Sequence, residues 1–325
     1  MPTQSNVWIV PPYNNRGWPE VAIFAELRHY AQSASRTYAL AMPSSEHGDG
    51  FSSSAQFEAT YKFVWNLREL FEGGLFHVDD VLLFTEALSP LAHIARVLAK
   101  QAGHGVGPRM VGMMHGGAAY PEDELALSGT IETSILTQFD LLLFPSVHAR
   151  APYYQLGYTT KLRRWPLPSQ IFDVPLAPKQ ERWLVFPHRE IAAKGIDLFH
   201  EVCDALEVDA SRDAWQGRLL RGKDKTDLYR EFAKSKAVFA NATMETYGVA
   251  VEEAVVLGCC PVLNRHPVYV EMYPYAHWHD GTVDGVLAAL KDVDRCAGHG
   301  STRQRTHKRS EDLIEAARNA ERIII

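Results

Sequence analysis

Apolar residues along this chain fall into two alternating patterns. Short continuous runs at 7–10, 37–42, 81–85, 110–114 and 141–145 predict buried strands, while the segments 18–33, 57–71, 89–101 and 132–139 carry apolar positions at helical spacing. In the first helix Val21, Ala22, Phe24, Ala25 and Leu27 share a face; in the third, Leu91, Ile94, Ala95 and Leu98 point inward. Residues 11–17 are rich in Pro, Asn and Gly, so 7–33 reads as strand, turn and helix. Residues 44–54, polar and rich in Ser and Gly, read as a mobile surface loop. Strands alternating with helices of this length predict βαβ units and a parallel sheet.

The periodicity lapses over 166–180, where Pro166, Pro168, Pro175 and Pro178 mark an expected interdomain linker. Beyond it the alternation restarts, with strands at 183–187, 218–221, 237–240 and 261–264 and helices at 195–205, 225–234 and 247–257. Leu313, Ala316, Ala317 and Ala320 mark a last helix within 310–322. The fold class expected is α/β, with two Rossmann-like parallel-sheet domains facing a cleft near the C-terminal strand edges. The expected boundaries are 1–165, the linker 166–180, 181–305, and a C-terminal helix in 306–325 packing back on the first domain.

Composition narrows the class. The 325 residues are 46% hydrophobic, which suits a globular chain of two domains and excludes collagen-like, disordered and small disulfide-rich classes. No apolar run approaches the roughly 20 residues of a membrane span. Residues 1–6 carry no legible leader, so a cytoplasmic chain with no membrane partner is expected. Cys203, Cys259, Cys260 and Cys296 lack metal-site spacing and read as reduced thiols. A formal charge of −6 requires any polyanion to meet a local basic patch.

The most informative stretch is 244–263, Met-Glu-Thr-Tyr-Gly-Val-Ala-Val-Glu-Glu-Ala-Val-Val-Leu-Gly-Cys-Cys-Pro-Val-Leu. Glu245 falls in the loop after a strand, and Glu253 lies about two turns into the next helix. Gly248 opens that helix, where free N–H groups and the positive dipole end favour a diphosphate. Carboxylates beside such an anion site suit sugar and ribose hydroxyls, because each ionised oxygen accepts strong hydrogen bonds. A glutamate pair alone is more often solvated surface; its context is what singles this one out.

That context resembles the E-x(7)-E signature of retaining GT-B glycosyltransferases of the family 4 type, carried by Glu245, Tyr247, Gly248, Glu253, Ala254, Gly258, Pro261 and Val262. One extra residue stands between Gly258 and Pro261. Upstream, 186–195 resembles the strand-loop-helix in which that family keeps an Arg and a Lys for the donor diphosphate, and Arg189 and Lys194 occupy those positions. Lys225, ahead of a Tyr-bearing helix, and the segment 258–271 look like a branch containing tRNA-queuosine mannosyltransferases and phage glycosyltransferases of hydroxymethylated DNA. Val270 replaces the usual Pro of that branch, and Asn14-Asn15-Arg16-Gly17 replaces a double glycine.

The resemblance implies roles. Glu253 would hold ribose, Glu245 with the N–H groups of Thr246, Tyr247 and Gly248 would hold the sugar, and Val249 N–H would meet the phosphates. Arg189 and Lys194 would neutralise the departing diphosphate, the charge that builds in this reaction. No metal and no cofactor is implied; the co-substrate is a nucleotide-diphosphate sugar, UDP-sugar favoured over GDP-sugar. The first domain would bind acceptor.

His115 follows a predicted strand and precedes Gly116-Gly117, where this fold places a sugar-contacting histidine; it is a candidate catalytic residue. Gly17 is a candidate for admitting phosphate or acceptor. Glu122, Asp123 and Glu124 read as a solvated helix start rather than a general base. Arg150, Lys161, Arg163 and Arg164 interleave with Tyr153, Tyr154 and Tyr158, as a phosphate-tracking, base-stacking surface would. Of these Arg150, Arg163, Arg164 and Tyr153 are the acceptor candidates. Arg303, Arg305, Lys308 and Arg309 form a second basic group.

The expected function is retaining hexosyl transfer to a hydroxyl, with a 5-hydroxymethylpyrimidine in DNA as first acceptor, a phage-type modification in host cytoplasm. A small molecule, a glycan or a tRNA nucleoside is the alternative acceptor. A non-catalytic nucleotide-sugar or nucleic-acid binding module is the alternative from another class.

Overall fold

The computed structural model describes residues 5–12, 18–40, 53–77, 79–103, 107–116, 129–165, 167, 169–175, 181–208, 215–220 and 224–295. The chain divides between Pro166 and Leu167 into two compact α/β units.

The first unit runs β1 (Val7–Val10), α1 (Trp18–Ser33), β2 (Thr37–Ala39), α2 (Ser53–Glu72), β3 (Val81–Phe84), α3 (Leu91–Gln101) and β4 (Arg109–Met113). It continues through α4 (Gly129–Leu136), β5 (Leu141–Phe144), α5 (Val147–Gln155) and β6 (Thr160–Leu162). Its six strands pair in parallel in the order β2-β1-β3-β4-β5-β6. The runs Val-Trp-Ile-Val, Val-Leu-Leu-Phe and Leu-Leu-Leu-Phe of β1, β3 and β5 are buried along their whole length, as parallel strands covered on both faces require. Asp80, just before β3, is buried and accepts from Asn6 N (2.9 Å), Trp8 Nε1 (3.0 Å) and His77 N (3.1 Å). It ties β1 to β3 at the N-terminal sheet edge.

The second unit contains β7 (Glu181–Phe186), α6 (Ile196–Glu207), β8 (Gln216–Leu219), α7 (Lys225–Lys234), β9 (Ser235–Ala240) and α8 (Val249–Val256). It ends with β10 (Cys260–Asn264), α9 (Pro267–Met272), β11 (His277–His279) and α10 (Val283–Arg295). The sheet is parallel, in the order β11-β10-β9-β7-β8. Alternate residues of β7, β9 and β10, such as Leu184, Phe186, Ala237, Phe239 and Val262, form a core with α6 and α10; α7 and α8 pack on each other and on β9. The strand order reverses between β7 and β9, the topological switch point where sheets of this kind bind ligands beyond their C-terminal edge.

Several expectations change. α5, β6, α9, β11 and α10 were not legible as elements, being short or carrying Pro152 and mixed polar faces. Ser53 and Ser54, expected in a loop, begin α2. Part of the expected linker is built into the second unit, where a 3-10 turn, Ser169–Phe172, packs against α7 with Leu167, Ile171 and Val174 buried. The apolar residues between the prolines explain why. The helix expected in 306–325 lies outside the described residues, as does the second basic group. Among the described residues no helix is long and apolar enough to cross a membrane.

Candidate functional site

The switch point of the second unit brings two loops together, one after β7 and one after β9. Thr243 N donates to Ala193 O at 2.9 Å, and Lys194 Nζ donates to Met244 O at 2.8 Å. Gly195 takes a left-handed φ of 81° beside Asn241; an added Cβ would lie 2.5 Å from Asn241 Cβ and 2.7 Å from its carbonyl oxygen. Only glycine allows that backbone approach. Asn264 Nδ2 donates to Ala242 O at 2.8 Å, which adds the end of β10.

Glu245 sits where these loops meet. Its Oε2 accepts from Lys194 Nζ at 3.1 Å, and its Oε1 from the backbone N–H groups of Thr246 (3.0 Å) and Tyr247 (3.3 Å). Tyr269 Oη of α9 reaches Oε2 at 3.5 Å. The side chains of Lys194 and Glu245 are 14% and 11% exposed. Burial pushes the Glu245 carboxyl up, but the charges of Lys194 and then His188, with the Lys194 and Tyr247 hydrogen bonds, hold it at about 2. His188 is pushed down to about 4 by burial, with Glu245 raising it and Lys194 lowering it further. Its Nε2 is buried without a hydrogen-bond partner.

Gly248 caps α8 with a left-handed φ of 79°, and an added Cβ would meet Tyr269 Cε1 at 3.0 Å and Glu245 Cγ at 3.8 Å. The helix therefore starts beside the Glu245 carboxylate, with the free N–H groups of its first turn, Val249 included, at the same edge. About one and a half turns on from Gly248, Glu253 is 0% exposed. Lys225 Nζ donates to both of its oxygens (2.9 and 2.7 Å), and Tyr229 Oη donates to Oε1 at 2.9 Å. Lys225 and Tyr229 are four apart on α7 and so share a face.

Thus Lys194, Glu245, Thr246, Tyr247, Gly248, Val249 and Glu253 belong to one sheet edge. Arg189 is on the loop after β7, exposed, with no side-chain partner among the described residues. The N–H groups of Thr246 and Tyr247, expected to face a sugar, are donated to Glu245. Sequence reasoning missed His188, Tyr229 and Tyr269, and gave Lys225 no role. The i, i+4 spacing of Lys225 and Tyr229 was a signal, but their partner lies on another helix. Among the described residues no cluster of three or more His, Cys, Asp or Glu side chains could hold a metal ion.

Two parallel-sheet Rossmann-like units, the second with an anion-ready helix start at its switch point, can be set beside solved structures. Sucrose-phosphate synthase from Thermosynechococcus elongatus superposes with a TM-score of 0.60 at 11% identity, over 98% of this chain and 96% of that one. Trehalose-6-phosphate synthase OtsA gives 0.58 at 14% identity over 96% of each chain. The E. coli trehalose-6-phosphate protein bound with UDP-2-fluoro glucose gives 0.56 at 13% identity, over 96% and 95%. The fold is GT-B. At these identities the likeness is one of fold. No family model matches the chain, and no curated protein matches its sequence.

In the first GT-B unit the remaining candidates separate. His115 follows β4, half-buried, with Nε2 2.8 Å from Thr85 O and its ring 5.2 Å from that of Trp165. Tyr153 is corrected from a stacking surface to the core: it is 2% exposed, and its hydroxyl donates to buried Glu132 at 2.9 Å. The helical phase of α5 turns Tyr153 inward and leaves Tyr154 exposed, with the Arg150 guanidinium 5.4 Å from the Tyr154 ring. Arg163 donates to Leu162 O at 3.0 Å, and Arg164 is half-buried. Gly17 and the acidic run Glu122, Asp123 and Glu124 lie outside the described residues.

Proposed function

We propose that this chain is a retaining glycosyltransferase that moves a hexose from a UDP-sugar to the hydroxyl of a small, soluble acceptor. The observation that carries the reading is the convergence of Lys194, Glu245 and the Gly248-capped start of α8 at the switch point of the second sheet. A cation, a hydroxyl acceptor and a helix N-terminus at one edge suit a sugar diphosphate. The E-x(7)-E pattern then assigns Glu245 to the sugar and Glu253 to the ribose. A neighbour in fold is bound with UDP-2-fluoro glucose, which supports a uridine donor.

No protein nucleophile is needed in this reading. As the bond to the anomeric carbon lengthens, charge grows on the departing phosphate oxygen, and Lys194 and Arg189 stabilise it without reorganisation. That oxygen takes the acceptor proton on the same face, so configuration is retained.

For the acceptor we favour a small hydroxylated molecule over a 5-hydroxymethylpyrimidine base. The fold neighbours named above are synthases of phosphorylated disaccharides, and the burial of Tyr153 removes an aromatic from the surface that base stacking needs. The test is transfer from radiolabelled UDP-sugars to free hexoses, hexose phosphates, hydroxymethylated DNA, unmodified DNA and tRNA. Label on a hexose or its phosphate is expected. Label on hydroxymethylated DNA alone replaces this acceptor, and an inert donor in every mixture removes the transferase reading.

A further inference from the structure

The pair formed by Lys225 and Glu253 supports more than a ribose contact. Glu253 is 0% exposed and Lys225 19%, so a carboxylate is held in a dry place by one ammonium that reaches solvent. A carboxylate offers about four accepting positions. Lys225 uses one on each oxygen and Tyr229 a second on Oε1, which leaves a position on Oε2. A buried carboxylate without its cation protonates rather than stay charged, and a protonated carboxyl loses much of its power to accept from a diol.

We infer that Lys225 is a positioning residue for the nucleotide: it keeps Glu253 an anion, so that the remaining Oε2 position accepts from a ribose hydroxyl. This rests on the donor-site reading above. Burial holds the Glu253 carboxyl above its ordinary range, and Lys225, by charge and hydrogen bond, with the Tyr229 hydroxyl, limits that rise without cancelling it. Several titratable groups on the elements around α8 have other neighbours. Asp227 and Arg230 of α7 pair with each other at the surface, Lys236 of β9 pairs with Asp294, and Cys260 of β10 packs with the α6 and α10 core. Glu252, next along α8, is also fully buried, and its charge raises the Tyr273 hydroxyl.

The test is calorimetric titration of the full chain with UDP, and in parallel GDP, between pH 5 and 9. Lys225→Met is expected to bind about tenfold more weakly at pH 7. Its affinity should recover as pH rises, with a midpoint at least about one unit above that of the unaltered chain. Lys225→Arg restores the unaltered midpoint, and Tyr229→Phe moves it upward by less. A midpoint unmoved in Lys225→Met overturns the proposal, whatever the loss of affinity, because lost packing or bulk charge alone does not retitrate Glu253. Should Lys225→Met fail to fold by circular dichroism, an unmoved midpoint in Tyr229→Phe has the same force. If the unaltered chain binds neither nucleotide, or Glu253→Ala binds both as well as it does, the donor-site reading itself falls.

Discussion

Lys194 and Glu245 stand 51 residues apart in the chain and 3.1 Å apart in the fold, at the point where the strand order of the second sheet reverses. The ammonium also holds Met244 O, so it braces the loop that presents the carboxylate. A cation already seated beside this loop needs little reorganisation to meet a diphosphate.

Removing that cation is expected to act on the chemical step. Lys194→Ala should lower kcat by ~10²-fold or more, as loss of preorganised charge stabilisation does. Steady-state turnover with UDP-glucose measures this; a kcat within a fewfold of the unaltered chain contradicts the assignment.

Acid stability should fall in two windows. His188 has a folded pKa of about 4 against an ordinary 6.5, so the unfolded chain takes up the proton first and stability is lost as pH falls from 6.5 towards 4. Glu245, held at about 2 against 4.5, adds a second loss as pH falls from 4.5 towards 2, worth ~3 kcal/mol if the unfolded carboxyl is ordinary. Urea unfolding at stepped pH checks this. In His188→Asn the upper window should vanish, and in Glu245→Gln the lower.

Gly195→Ala is expected to be among the most damaging single-methyl changes in the chain. The methyl would lie 2.5 Å from Asn241 Cβ and 2.7 Å from backbone, at a φ that L-residues avoid. The loops after β7 and β9 would have to separate, costing ~2 kcal/mol or more. A melting temperature unchanged within a degree would show that the two loops are not closely apposed.

Tyr153→Phe separates the core role from an acceptor role. Loss of the hydrogen bond to buried Glu132 should destabilise the first unit by ~1–3 kcal/mol. Turnover at a temperature where the variant is folded should be unchanged. A raised acceptor KM would return Tyr153 to the acceptor surface.

Much of the fold was legible because parallel strands buried on both faces read as unbroken apolar runs, as at 81–84 and 141–144. Elements such as α10 escaped notice: its buried positions Val286, Ala289, Leu290 and Val293 are separated by acidic and basic residues that solvate the outer face. The site was legible where its residues are consecutive. Glu245, Gly248 and Glu253 lie on one loop and helix, and helical spacing from Gly248 puts Glu253 in the second turn.

The sequence by itself determined the α/β alternation, the helix start at Gly248 and the placing of Glu253 in the second turn after it, because each depends on neighbours along the chain. Only the tertiary structure decided that Lys194 meets Glu245, that Lys225 and Tyr229 of α7 close on Glu253, and that Tyr153 faces Glu132 rather than solvent. Those pairings follow from strand order and helix packing, which bring together groups separated by 21 to 51 residues and place them where burial makes each charge depend on its partner.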